Sequence, residues 1–176
     1  RPSLGETNAT GLQMASFDEL LIDAQRYATT EEKQQKKSKA REELFARGSN
    51  SLAYLMSRAH VENMWIRILA EEIVLKLKAE EAAPVLLKHL ADEHPITRKS
   101  AAYLLGYYEM PAQAGALLPL LQDEEAAGMA LRTLGKWHVT NAIPQIAPFL
   151  THAKERNRIF AANALRDVGD IHAAPD

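Results

Sequence analysis

Short apolar runs alternate with Ala/Leu-rich runs along this chain, and both kinds carry helical spacing. Ala83-Pro84-Val85-Leu86-Leu87 leads into Ala101-Ala102-Tyr103-Leu104-Leu105-Gly106, and the same order returns from Ala114 to Gly135 and from Ile143-Pro144-Gln145-Ile146 to Arg166. The matching leucines Leu105, Leu134 and Leu165 fall 29 and 31 residues apart. A period of about thirty residues, with one short apolar segment and one Ala/Leu segment in each, predicts a stack of helix pairs instead of a globule with one closed core. A shift of 31 also carries Leu55 onto Leu86, Met56 onto Leu87, Ala70 onto Ala101 and Val74 onto Leu105. Four repeats therefore run from about Ser49 to Asp170.

Ahead of these copies, helical spacing begins at Phe17, Leu20, Leu21 and Ala24, with Ser16 as N-cap and Glu19 three residues on. The segment from Glu31 to Glu43 holds five basic and four acidic residues and runs into Leu44 and Phe45 without a Gly or Pro break. It predicts a long helix with a solvated charged face, on which Lys33, Lys36, Lys37 and Lys39 lie. Gly48 ends that helix, and Asn50 or Ser51 is expected to cap the next. The pair from Ser16 to Arg47 is a fifth, degenerate repeat, as expected where one face has no neighbour. Residues 1–12 read as a mobile polar tail, and its Asn8-Ala9-Thr10 triplet as a chance match to a glycosylation acceptor. Residues 13–176 read as one domain of about five helix pairs. Ile171-His172-Ala173-Ala174-Pro175 looks like the opening of a repeat that is not completed, which suggests a piece of a longer array; Arg1 as first residue fits loss of an upstream segment.

Composition narrows the function classes. The chain has 176 residues, 47% hydrophobic and 25% charged, too apolar for disorder. A net charge of -2 gives no global attraction to phosphate backbones or anionic lipid, so any basic patch has to be local. The absence of cysteine removes thiolate metal sites and thiol nucleophiles and is compatible with cytoplasm and periplasm alike. No apolar run is long enough to span a bilayer.

The repeats resemble the HEAT family, especially the short bacterial type found in phycobilisome lyases, over roughly Ser49 to Asp176. Pro84 and Pro144 match the family's proline near the start of the first helix. Asp92 and Asp123 match an Asp that closes that helix, and Arg98, Arg67 and Arg158 match an Arg that opens the second. In the family these form a hydrogen-bonded ladder between repeats. Val61, His152 and Ala127 stand at ladder positions here, so the ladder is expected to be interrupted. The resemblance implies an all-α fold, a right-handed α-solenoid of stacked antiparallel helix pairs in a HEAT-like or ARM-type superhelix.

Within that resemblance, one metal chemistry is testable. Deoxyhypusine hydroxylases are HEAT-like and hold two irons with His-Glu pairs just before the Ala-Ala of the second helix. Asp92 to Arg98 looks like the run-up to such a pair, yet Lys99-Ser100 follows, and the other repeats offer Ile68-Leu69, Gly128-Met129 and Ile159-Phe160. None of these can ligate iron. The histidines His60, His89, His94, His138, His152 and His172 are spread along the stack with no i, i+4 pair, and they read as surface or capping residues. Gly106, Gly135 and Gly169 read as helix terminators, not as parts of a phosphate or dinucleotide loop. The sequence thus predicts no metal, no cofactor and no enzymatic activity.

What remains is the surface lined by the second helices, the concave side in HEAT-like arrays. Positions flanking the buried Ala-x-x-Leu pattern form two columns: Glu72, Tyr103, Arg132, Asn163, and Lys76, Tyr107, Lys136, Asp167. Tyr, Trp and Arg concentrate interface energy, so Glu72, Tyr103, Tyr107, Arg132, Lys136 and Asn163 are the candidate partner-binding residues. Tyr107, together with Tyr108 and Trp137 beside these columns, is also readable as packing between neighbouring repeats, the reading favoured for the aromatics. The leading expectation is a noncatalytic scaffold that binds a protein or peptide, as part of something larger. The alternative, from the resemblance, is a bilin-lyase-like protein that handles a chromophore. A nucleic-acid binder like the HEAT-like alkylpurine glycosylases is disfavoured by Glu72, Asp167 and the overall acidity.

Overall fold

In the computed structural model, residues 15–25, 28–61 and 64–170 are described. The N-terminal tail with Asn8 and the stretch from Ile171 to Pro175 with His172 lie outside them. Periodic apolar positions fold into helices throughout: α1 (Phe17–Gln25), α2 (Glu31–Ala46), α3 (Ser49–Ser57), α4 (Met64–Val74), α5 (Ala79–His89), α6 (Pro95–Leu105), α7 (Ala114–Leu117), α8 (Ala127–Lys136), α9 (Ile143–Ile146) and α10 (Glu155–Asp170). Short 3-10 turns at Pro111–Gln113 and Leu118–Gln122 extend α7, and turns at Thr140–Ala142 and Ala147–Thr151 extend α9. Among the described residues there is no strand, and the helices form five pairs stacked as a HEAT-like solenoid.

Local signals explain several boundaries. Ser16 and Glu19 make a reciprocal capping box: the Ser16 N–H donates to Glu19 Oε2 (2.8 Å), and the Glu19 N–H donates to Ser16 Oγ (3.2 Å). Thr30 accepts from the Lys33 N–H at the start of α2. Gly48, at φ 54°, both stops α2 and precedes α3, which begins at Ser49, ahead of the cap expected at Asn50 or Ser51. Of the glycines read as terminators, Gly106 caps the C-terminal end of α6 with an ordinary helical φ, whereas Gly135 and Gly169 lie inside α8 and α10. Helix α8 is instead ended by His138 at φ 53°, with the Val139 N–H reaching Leu134 O and the His138 N–H reaching Gly135 O in a Schellman arrangement.

The core is a continuous strip of alanine and leucine, from Leu20 and Leu44 through Leu55, Leu86, Leu104 and Leu131 to Ala164. Hydrogen bonds that jump one repeat fix the register of the stack. Tyr108 Oη donates to Val74 O (2.8 Å), Thr133 Oγ1 to Ala102 O (2.7 Å) and Trp137 Nε1 to Tyr108 O. Trp137 is 1% exposed, so it and Tyr108 serve packing between repeats. Of the Asp–Arg ladder, one inter-repeat rung forms among the described residues: Arg98 Nε donates to Asp123 Oδ2 (2.6 Å) while its Nη1 holds Asp92 O. Among the described residues, Arg158 donates to backbone, at His152 O and Ala153 O.

Candidate functional site

The second helices α4, α6, α8 and α10 carry the candidate residues, with Tyr107 in the turn just after α6, and cross-repeat contacts join most of them. Glu72 on α4 pairs with Arg41 on α2. Tyr103 Oη on α6 donates to Glu71 Oε1 (3.0 Å), Tyr107 Oη donates to the same carboxylate, and the two phenols lie 2.9 Å apart. Their rings meet edge to face at 5.7 Å. Arg132 on α8 sits 4.8 Å over the Tyr103 ring, and Lys136 sits 5.6 Å over Tyr107 and donates to Gly106 O. Asn163 on α10 is exposed, and its side chain joins none of these contacts.

Charge and burial set the proton affinities here. Burial pushes the Tyr107 phenol up, and its hydrogen bonds to Glu71 and Tyr103 push it further, so it stays protonated at any physiological pH. Partial burial lowers the Lys136 ammonium from its ordinary value, and the neighbouring Arg132 guanidinium lowers it further. Glu71 gathers two phenolic donors, a role invisible in the columns because it lies one residue before Glu72.

Beside this network lies a groove of about 590 Å³, within the range of small-molecule sites. Tyr103 and Arg132 line it; Glu72, Tyr107, Lys136 and Asn163 do not. The rest of its wall is built from the same helical face extended toward the N-termini. Seven residues before Tyr103 and Arg132 stand Ile96 and Glu125, and the equivalent position on α10 is Arg156. Between these layers lie Ser100, Met129 and Phe160. Met56 and Ile66 close the apolar side from α3 and α4. Overlaying the repeats two turns further back would have revealed these positions.

The groove is more basic than the chain as a whole. Arg67, Lys99, Arg132 and Arg156 line it against one carboxylate, Glu125, which Lys99 neutralises at 3.2 Å. Arg156 lies 5.4 Å over the Phe160 ring as Arg132 lies over Tyr103. A guanidinium stacked on a ring uses its face and leaves its in-plane N–H groups free to donate. Arg132 Nη1 is shielded from water and has no hydrogen-bond partner.

The histidines are less dispersed than their spacing suggests. His60 and His94, one repeat apart, stack with centroids 4.2 Å apart, and His94 also reaches Asp92. Burial would raise the Asp92 carboxyl, but the hydrogen bonds from His94 outweigh it and hold it below its ordinary value. Among the described residues, no three His, Asp or Glu side chains gather as a metal site would need, and no helix is long and apolar enough to cross a membrane.

No protein-family model and no curated protein sequence matches the chain. Among solved structures, the complex of CpcE and CpcF of phycocyanin lyase from Nostoc sp. PCC7120 aligns with a TM-score of 0.58 at 22% identity, covering 96% of this chain and 71% of that one. An engineered protein aligns with a TM-score of 0.50 at 14% identity, covering 87% and 80%. These likenesses establish the HEAT-like fold. They also correct the expectation that the chain is not an enzyme, because this solenoid is one that a lyase uses. The physical reason lies in the repeats: functional groups on such a fold come from several helices about thirty residues apart, so a missing contiguous signature excludes nothing.

Proposed function

We propose that this chain handles an open-chain tetrapyrrole chromophore in the manner of a bilin lyase, with the groove across α6, α8 and α10 as its seat. The observation that carries this reading is the groove itself: about 590 Å³, walled by Ile66, Ile96, Met129, Phe160 and Tyr103, with cationic side chains among them. An extended conjugated ligand with an apolar body and acidic side chains needs that mixture. The likeness to a phycocyanin lyase lends it support. The chain's own residues would bind and orient the ligand, with Phe160 and Tyr103 offering ring faces.

The test is an absorbance and circular-dichroism titration with biliverdin. Binding is expected to shift the long-wavelength band and induce ellipticity in it, and Tyr103→Ala with Arg132→Ala should weaken binding while helicity is kept. Unchanged spectra at saturating protein would refute the reading. A second reading, a protein- or peptide-binding scaffold, draws on the exposed Lys136 and Asn163 and half-exposed Glu72, which lie outside the groove. The two are compatible, since a protein acceptor could engage the outer column while the groove holds a chromophore.

A further inference from the structure

We infer that Arg132 and Arg156 form a carboxylate clamp that binds the acidic side chains of the groove's ligand and so fixes its orientation across α8 and α10. The inference rests on the chromophore reading and deepens it by assigning the recognition chemistry.

Three observations lead to it. Of the four cations lining the groove, only Lys99 has a carboxylate partner; among the described residues, none lies within ion-pair distance of Arg67, Arg132 or Arg156. Both clamp residues lie over aromatic rings at cation–π distance, Arg132 over Tyr103 at 4.8 Å and Arg156 over Phe160 at 5.4 Å. A guanidinium held over a ring by cation–π attraction keeps N–H groups with which to donate to a bidentate acceptor. Finally, Arg132 is only partly buried although its Nη1 is enclosed beside Gly106 without an acceptor, so its remaining N–H groups are the ones a carboxylate in the groove can reach.

Charge complementarity then selects the ligand class. Net positive lining in a chain of net charge -2 favours an anion, and the Ile96, Met129 and Phe160 surfaces favour one with a large apolar body. Inorganic phosphate or a free short-chain acid would satisfy the charge and leave the apolar wall wet. A tetrapyrrole with propionate side chains satisfies both.

The experiment compares biliverdin with its dimethyl ester, which keeps the conjugated body and removes both charges. On the unaltered protein, the free acid should bind roughly 10- to 100-fold more tightly than the ester. In Arg132→Gln with Arg156→Gln that preference should vanish, with the acid falling to the ester's affinity. Equal binding of acid and ester by the unaltered protein would overturn the clamp and leave the chromophore reading standing. A preference that survives in the double variant would overturn the assignment to these two residues. Binding of neither compound would overturn both proposals. The comparison on the unaltered protein needs no substitution, so it can overturn the clamp even if the double variant fails to fold, and the single variants Arg132→Gln and Arg156→Gln, each expected to narrow the preference, then test the assignment.

Discussion

Tyr108 does two jobs with one side chain. Its ring packs against the core, and its hydroxyl donates to Val74 O, a carbonyl at the C-terminal end of α4. Burial, with the Glu81 charge adding, pushes its phenol up to about 12. A raised pKa means that the folded state holds the proton more tightly, so this contribution is complete below the ordinary value of 10 and is lost as pH rises toward 12. Tyr108→Phe is expected to cost about 1 kcal/mol in urea unfolding at neutral pH. The alkaline limb tests the linkage, since the variant should lose less stability above roughly pH 10. Asp123 shows the opposite sign. Burial alone would raise its carboxyl, but the Ala126 N–H, Arg98 and the Glu125 N–H hold it below its ordinary value. Its stabilisation is present at neutral pH and is lost as the solution is acidified below roughly pH 4. In an acid titration followed by circular dichroism, Asp123→Asn should start less stable and show a flatter acid limb.

At the scale of elements, α8 and α10 approach closely at Gly135. A Cβ at Gly135 would sit 2.6 Å from Ala164 Cα, so a methyl group there forces the two helices apart. Gly135→Ala is expected to destabilise by about 1–3 kcal/mol, whereas Gly115→Ala on α7, with open space around it, should be neutral or slightly stabilising. Thermal unfolding of the two variants checks the contrast. The contrast separates what the repeat pattern encodes from what it does not. Helix existence and pairing were legible because burial repeats: Ala70, Ala101, Ala130 and Ala161 all lie in the core. The purpose of Gly135 was not, because tight helix contact depends on what the next repeat places opposite. His138 likewise took the left-handed position that glycine signals. At the site, Tyr103 and Arg132 stand in the outward columns, whereas Arg156 lies two turns before them, and Lys99 and Phe160 stand out in the sequence only as positions that cannot ligate iron. His60 and His94 meet because a separation of one repeat is close in space and far in sequence.

Across the whole molecule, each repeat touches its neighbours and little else, and the N-terminal pair is attached mainly through side chains. Phe17 stacks on Tyr54, Asp18 holds Tyr54 and Arg58, and Arg41 holds Glu72. Exposed and partly exposed ion pairs of this kind contribute about 0–1 kcal/mol each. Hydrogen exchange should therefore find α1 and α2 opening before α6 and α8; uniform protection along the chain would contradict that order. The groove adds a different coupling. Its wall is shared by α4, α6, α8 and α10, units otherwise linked only in single file. A ligand seated there would act as a rivet through several plates: none of those repeats could peel away without releasing it. Urea unfolding of the loaded protein should then become a steeper, more nearly all-or-none transition, so that occupancy is reported by cooperativity as well as by midpoint.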